Sequence, residues 1–426
     1  MLYLLLVVAG YFTIYSSSFK GFDVEESYWS TSYGKQMIWI LISVILGLVI
    51  LLIEGNFIQN ISYSIYLFVL LLLIVVLFMP PVKGVSSWFV FGGFSIQPSE
   101  FAKLATSLAF AKYLSNVNAR FQDFKTRIRA GLLVIVPALL IIMQPDAGTM
   151  LVFVGFVFVL YREGLSGNFL LIGLFALLIG TIGIFLKASS SNFFIGDVLI
   201  SGNLFFGFIL LLGFLFSFII IRYFVLPRFR KQKYFQLLII AFIGLSICFS
   251  VNYIYDNLFK DRHRNRFQIM FGIKEDRRGV GYNIYQALSA IGSGEGFGKG
   301  YLKGTLSNDK FKHVPEQNTD FIFCVLAEEW GFIGCLAFIF LYLSTMIRMI
   351  MISERQRSKF TRIYGYCITS ILFFHFMINL GMVIGLAPVI GIPLPFFSKG
   401  GSAILAFSVM FFILMRLDAE RKVVLR

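Results

Sequence analysis

Asp320 stands where an apolar run begins, at the end of a long polar stretch, residues 256–320. That stretch carries Lys260, Arg262, Arg264, Arg266, Lys274, Arg277, Arg278, Lys299, Lys303, Lys310 and Lys312. An anion could be held there beside a carboxylate, a combination that suits a reaction with an anionic leaving group. The simpler reading is a carboxylate favoured by the positive end of a helix, with most of the cations resting on lipid phosphates.

Two further groups have residue types suited to a polar cavity. In QPSEFAK, residues 97–103, Pro98 cannot occupy a helix interior. The spacing therefore predicts a helix with Ser99 as N-cap, Glu100 in the first turn and Lys103 three residues on along the same face. The pair is either structural or in contact with substrate. QPDAG, residues 144–148, reads as a tight turn with Asp146 at its tip or capping the next helix, and capping alone would account for an Asp there. Beyond Asp320, the adjacent Glu328 and Glu329 lie about 12 Å further along a helix that rises roughly 1.5 Å per residue.

Other chemistries find little support. His263, His313 and His375 are scattered, without metal-ligand spacing, and the cofactor requirement, a divalent cation included, stays open. The run GSGEGFGKG fits neither GxGxxG nor GxxxxGK[ST] and has no βαβ unit around it. It reads as a turn that packs backbone closely, with a backbone nest for phosphate as the alternative.

The elements that must position these residues are membrane helices. Hydrophobic residues make up 58% of the 426 and charged ones 14%, against roughly 45–50% and 25% in soluble domains. Apolar windows of roughly 17–25 residues, broken by Gly, Pro and charge, predict an all-α polytopic bundle with twelve spans. These lie near 1–16, 36–53, 61–80, 101–115, 130–144, 148–161, 167–186, 203–224, 235–255, 321–347, 361–387 and 401–415. The windows at 101–115 and 148–161 are the weakest. Residues 1–16 lack the basic flank and small-residue cleavage site of a signal peptide and are read as a retained span.

ARFQDFKTRIR, PRFRKQKY, SERQRSKFTR and the basic tail all fall on one side, which the positive-inside rule makes cytoplasmic together with both termini. Residues 256–320, QPDAG and PVIGIPLPFFSKG fall outside. That bias and contact with anionic lipid account for the net charge of +15 without nucleic acid. The chain reads as one membrane domain, residues 1–426, with 256–320 as a large external loop. Within it, apolar or aromatic residues at 282, 285, 288 and 291 predict a short amphipathic helix, either at the membrane surface or packed under the loop. Cys248, Cys324, Cys335 and Cys367 fall inside spans and make a disulfide framework unlikely.

In this order, QPSEFAK, QPDAGT, GYNIYQALSAIGSG followed by GKG, VPEQNTDFIFCVLAEEWGFIG and NLGMVIGLAPVIGIPLPFFSKGGSA resemble the SEDS family (shape, elongation, division, sporulation) of bacterial peptidoglycan polymerases. The last two motifs are highly specific. GKGYLKGT, the Trp of EEWGFIG and GIPLPFFS are similar to the elongation branch rather than the division branch.

The resemblance implies a glycosyltransferase of the bacterial cytoplasmic (inner) membrane that polymerises lipid II. The 4-hydroxyl of an acceptor sugar attacks the anomeric carbon of a donor, expelling undecaprenyl pyrophosphate with inversion. It also implies Asp320 as general base, Ser99, Glu100, Lys103 and Asp146 as cavity residues, and Arg264 and Arg266 as pyrophosphate holders. Glu328 and Glu329 would then hold neighbouring helices through buried hydrogen bonds or ion pairs. Implied partners are a class B penicillin-binding protein, docking on the small-residue spans near 381–407, and other elongation-complex membrane proteins.

Departures from the family pattern are a two-helix insertion within 167–224 on a core of ten spans, Asn318 where His is common, Lys399 for Tyr and Ala403 for Ser. A division-type polymerase remains an alternative reading. So does a flippase of the same precursor, although the chain shows no inverted repeat of the kind such transporters favour.

Overall fold

In the computed structural model, described residues are 1–19, 27–81, 85–91, 94–116, 123–195, 198–259, 261–274, 280–307 and 316–422. Lys260, Arg277, Arg278, Lys310, Lys312 and His313 lie outside them. The chain divides into two compact units, one of residues 1–165 with 283–426 and the other of residues 166–282.

The first unit opens with α1 (Leu2–Ser17), α2 (Ser32–Leu52) and α3 (Gly55–Val76). A small antiparallel hairpin of β1 (Phe89–Phe91) and β2 (Phe94–Ile96) then leads into α4 (Pro98–Ser115), α5 (Phe124–Met143), α6 (Ala147–Val152) and α7 (Phe156–Arg162). The second unit contains α8 (Gly167–Ala188), the hairpin β3 (Asn192–Ile195) and β4 (Val198–Ser201), α9 (Gly202–Phe224), α10 (Pro227–Tyr253) and α11 (Asp261–Met270). The unit boundary falls within α12 (Val280–Ser293), and α13 (Ile322–Glu354), α14 (Lys359–Val383) and α15 (Gly401–Ala419) complete the first unit.

Every expected span coincides with a described helix or helical run. Nine described helices are long and apolar enough to cross a bilayer, and Leu2–Ser17 and Ala147–Arg162 are shorter apolar runs. The chain is a multi-pass helical membrane protein. The weakest apolar window, α4, is also among the most buried helices, packed against α3, α5, α14 and α15. A helix enclosed by protein meets little lipid, so it can carry Ser99, Glu100, Lys103, Thr106 and Ser107 inside. The opposite case is α9, whose aliphatic and aromatic side chains are largely exposed, as suits contact with lipid tails.

One expectation about local structure changes, and another gains detail. The N-cap of α4 is Gln97, with Pro98 in the first turn and Ser99 inside the helix, because proline lacks the N–H that the first turn leaves unbonded anyway. The expected short helix is α12, which buries Ile284, Ala287 and Ala290 and leaves Tyr285 and Leu288 of the apolar stripe uncovered by protein. The small alanines allow close packing on that face and turn the larger apolar residues outward.

Within the second unit, Asn203 donates to Asn252 at 2.7 Å between α9 and α10, and Lys187 pairs with Asp256 at 2.9 Å. At the opposite end of the first unit's sequence, basic residues of SERQRSKFTR do more than set topology. Arg355 and Gln356 both bond Asp418, and Arg362 pairs with Glu163 at 3.3 Å.

The glycine-rich run has a structural role that its composition alone left open. Helix α13 breaks at Gly331, whose φ of +64° is a left-handed value that favours glycine. The break frees backbone groups, and residues 295–300 bind them. Phe332 N donates to Glu295 O at 2.9 Å, Lys299 N to Glu328 O at 3.0 Å and Gly300 N to Glu329 O at 2.9 Å. At Gly298 a β-carbon would lie 2.2 Å from Glu329 O, so only glycine admits this approach.

Glu328 and Glu329 fasten the same run. Glu328, fully buried, accepts from Lys299 Nζ at 2.6 Å, Thr305 N at 2.8 Å, Leu306 N at 3.0 Å and Ser307 N at 2.9 Å. Glu329 accepts from Ser16 Oγ of α1 and from Leu302 N at 3.0 Å. Glu328 therefore grips an external segment, and Glu329 joins that segment to a neighbouring helix. Glu328→Ala would leave three backbone N–H groups without their acceptor and Lys299 without its counter-ion, a loss of about 3–5 kcal/mol. A lower unfolding midpoint in detergent and faster proteolysis within 300–307 are expected. Wild-type protease resistance of that segment would contradict the role.

Candidate active site

Lys103 is completely buried in α4, and its ammonium is surrounded by partners. Glu100 Oε2 lies 2.7 Å away on the same face, His375 Nε2 of α14 lies 2.8 Å away, and the Phe407 ring of α15 lies 4.9 Å from Nζ to its centroid. Inside a bundle such a charge is tolerable only when it is enclosed by partners of this kind. Glu100 and Lys103 do pair as their spacing predicts. Lys103 is enclosed by protein, and the Ser99 hydroxyl is buried without a hydrogen-bond partner.

One turn earlier, the chain entering α4 is tied to the QPDAG turn. Gln97 Nε2 donates to Asp146 Oδ2 at 2.9 Å, and Asp146 also accepts from Thr149 N at 3.1 Å and Thr149 Oγ1 at 2.8 Å. Asp146 is thus the N-cap of α6, in a half-buried position. Ser402 at the start of α15 accepts from Gln97 N at 3.0 Å and donates to Ser95 O at 3.1 Å, which fixes the approach from β2 to α4.

Asp320 is half-buried and lies just before the N-cap of α13, Phe321, so it is not itself the cap. Its surroundings come from the loop PVIGIPLPFFSKG, residues 388–400. Asn379 of α14 donates to Asp320 O at 2.9 Å and to Ile392 O at 2.7 Å. Gly391, at φ +82°, passes so close that a β-carbon there would lie 3.3 Å from Asp320 Oδ2. The same loop touches the Asp146 turn, since a β-carbon on Gly148 would sit 2.9 Å from Ile392 Cγ1. One loop therefore connects the neighbourhoods of Asp146 and Asp320.

The two departures near Asp320 are themselves joined. Lys399 N donates to Asn318 O at 2.8 Å, Asn318 Nδ2 donates to Ser18 Oγ at 3.0 Å, and Lys399 Nζ donates to Ser32 Oγ at 2.9 Å. Their side chains thus tie the ends of α1 and α2 to the loops on either side of Asp320.

Ser99, Glu100, Lys103, Asp146 and Asp320 all belong to the first unit, whereas Arg264 and Arg266 lie in the second. Arg264 is turned onto its own unit, donating to Asp256 O and stacking over Tyr255 at 5.7 Å. Sequence reasoning missed His375, Asn379, Gln97 and Gly391. The signal for the first two was present: two polar side chains four residues apart in an apolar span.

With this geometry in view, comparison with known proteins decides the family. The family model for FtsW, RodA and SpoVE, described as cell cycle protein, matches residues 1–198 and 231–423. The chain belongs to this family. The unmatched residues, 199–230, hold α9 and overlap the expected insertion within 167–224.

Among similar proteins, the peptidoglycan glycosyltransferase RodA of Treponema pallidum is 31% identical, with 98% of this chain and 96% of that protein covered. The peptidoglycan glycosyltransferase MrdB of Escherichia coli is also 31% identical, over 89% and 84%. Two solved structures share the fold. A chain from a peptidoglycan synthase complex has a TM-score of 0.69 at 23% identity, covering 99% of this chain and 96% of its own. Thermus thermophilus RodA has a TM-score of 0.60 at 20% identity, covering 99% and 95%.

The enclosed ammonium yields a direct test. Lys103→Met leaves Glu100 as a buried, uncompensated carboxylate and should destabilise the protein by about 3–5 kcal/mol. Adding Glu100→Gln should recover much of that loss, because the unpaired charge is gone. Thermal unfolding of both variants in detergent checks this, and equal midpoints would show that the pair is not coupled.

Proposed function

We propose that this protein is the peptidoglycan glycosyltransferase of cell elongation, joining lipid II disaccharides into glycan strands with release of undecaprenyl pyrophosphate. The observation that carries the reading is likeness over nearly the whole chain to proteins named for that activity, RodA and MrdB. Those names also favour a polymerase over a flippase, and an elongation enzyme over a division enzyme.

In the proposed reaction, Asp320 accepts the proton of the acceptor 4-hydroxyl as its oxygen bonds to the donor anomeric carbon. The bond from that carbon to the pyrophosphate oxygen breaks on the opposite face, so configuration inverts. A general base needs hydrogen-bond reach and freedom from full solvation. The half-buried position of Asp320 supports this role, with the backbone on both sides of the carboxylate held by Asn379. The pyrophosphate departs with the bonding electron pair, and guanidinium forks such as those of Arg264 and Arg266 suit an anion of that kind. Of the four cavity candidates, half-buried Asp146 can meet substrate directly, while Ser99, Glu100 and Lys103 are enclosed and support the site through protein. The protein works in the bacterial cytoplasmic membrane with both termini cytoplasmic, as the distribution of basic loops supports.

A class B penicillin-binding protein is the proposed partner, since glycan strands need cross-linking as they emerge. A relative in fold was solved within a complex that coordinates polymerisation and crosslinking, which supports the pairing. Within 381–407 most large apolar residues are core, while Ile384 and Leu386 are exposed, the latter by 73%. The docking surface narrows to those two, and photo-crosslinkers at Ile384 and Leu386 should capture the transpeptidase in cells. Capture only from a different span would reject this placement.

Asp320→Asn removes the proton acceptor but preserves shape. Glycan synthesis from lipid II by the purified variant should fall by about 10²- to 10⁴-fold with unfolding behaviour unchanged. Near-normal strand synthesis would remove Asp320 from the base role.

A further inference from the structure

Two polar residues of α14 have no part in the proposed chemistry, yet both are buried and both bond twice. His375 and Asn379 stand four residues apart, which puts them on one face about 6 Å apart in rise at roughly 1.5 Å per residue. His375 Nδ1 lies 3.1 Å from Pro393 O, and Nε2 lies 2.8 Å from Lys103 Nζ. A carbonyl oxygen can only accept, so Nδ1 carries the proton and Nε2 accepts from the ammonium. Asn379 Nδ2 donates to both Ile392 O and Asp320 O, at 2.7 and 2.9 Å.

The four bonds share a pattern. Each residue fixes one of two consecutive carbonyls, Ile392 or Pro393, in the loop whose Gly391 faces the Asp320 carboxylate. Each then uses its second bond on a charged residue of the site, the side chain of Lys103 or the backbone of Asp320. Satisfying two polar groups in a span would require no such pairing of one loop with two different charged residues.

The geometry points to His375 and Asn379 as positioning residues that hold the Lys103–Glu100 pair and Asp320 at a set separation across the loop of residues 389–394. This rests on the reading of Asp320 as the reacting carboxylate. A side chain that acts by placing other groups affects turnover more than substrate affinity, because a shift on the order of 1 Å at the reacting atoms can cost about 10²-fold. A glutamine at 375 can donate through Nε2 and accept through Oε1, so it can replace both imidazole bonds, whereas leucine keeps bulk and loses them.

The test compares wild type, H375L, H375Q and N379L as full-length purified proteins. H375L and N379L should lower kcat for glycan synthesis from lipid II by about 10- to 100-fold with KM within about twofold, and H375Q should recover most of the H375L loss. If H375L does not extract as folded protein, the shorter amide of H375N, which cannot span both partners, provides the same comparison. Hydrogen exchange read by mass spectrometry gives a measure independent of activity: residues 316–321 and 389–394 should lose protection together in H375L and N379L and regain it in H375Q. Wild-type kcat in H375L, or a loss that H375Q does not restore, would overturn the inference, as would exchange that rises in only one segment. If wild type makes no strands while both segments respond together, the positioning stands and the proposed function falls.

Discussion

A lysine ammonium fully shielded from water needs partners around it, and the arrangement of the first unit follows from supplying them to Lys103. Glu100 comes from its own helix, His375 from α14 and the face of Phe407 from α15. These helices also pack directly on α4. A buried ion pair adds little net stability over an apolar core of the same shape, but breaking one is costly. Its effect is therefore to select one arrangement of helices, since a rotated or shifted α14 would strand a charge inside the bundle. That constraint reaches Asp320 through Asn379, one helical turn from His375.

A second constraint operates where α13 breaks. Non-helical backbone at this point needs its freed donors and acceptors satisfied by protein. The glycine-rich segment 295–300 supplies the partners because its missing side chains let main chain approach main chain, and Glu328 and Glu329 secure the next residues, 302–307. A carboxylate that looks out of place in an apolar helix is thus the anchor of the segment of residues 302–307. Asp320, Glu328 and Glu329 occur within ten residues and still have separate duties: one is a half-buried candidate base, and two hold chain in place.

The second unit differs in character. Its helices expose apolar side chains over most of their surface, and polar links such as Asn203 with Asn252 are few among the described residues. It is also where the family match is interrupted, at residues 199–230. Lipid-facing helices of this kind meet fewer side-chain constraints than α4 or α14, so additional helical sequence can be accommodated there without disturbing the polar cluster.

Much of the fold was legible in the sequence. Bilayer thickness sets the length of an apolar helix, so composition and length alone located the spans, including the weak window of α4. Local spacing was enough for Glu100 with Lys103 and for Asp146 as a cap, because partners three residues apart on a helix must meet. What spacing could not reveal were contacts between residues far apart in the chain. His375 with Lys103, Asn379 with Asp320, and Gly391 against the Asp320 carboxylate depend on how α14 and its following loop pack. The N-cap of α4 was misread because proline chemistry at the first turn outweighed the simpler pattern. Residue types and their order were sufficient for a helical membrane protein with a carboxylate beside a cationic loop. Which buried groups hold the backbone of Asp320 was settled by helix packing, because hydrogen bonds between distant segments exist only once the helices have come together.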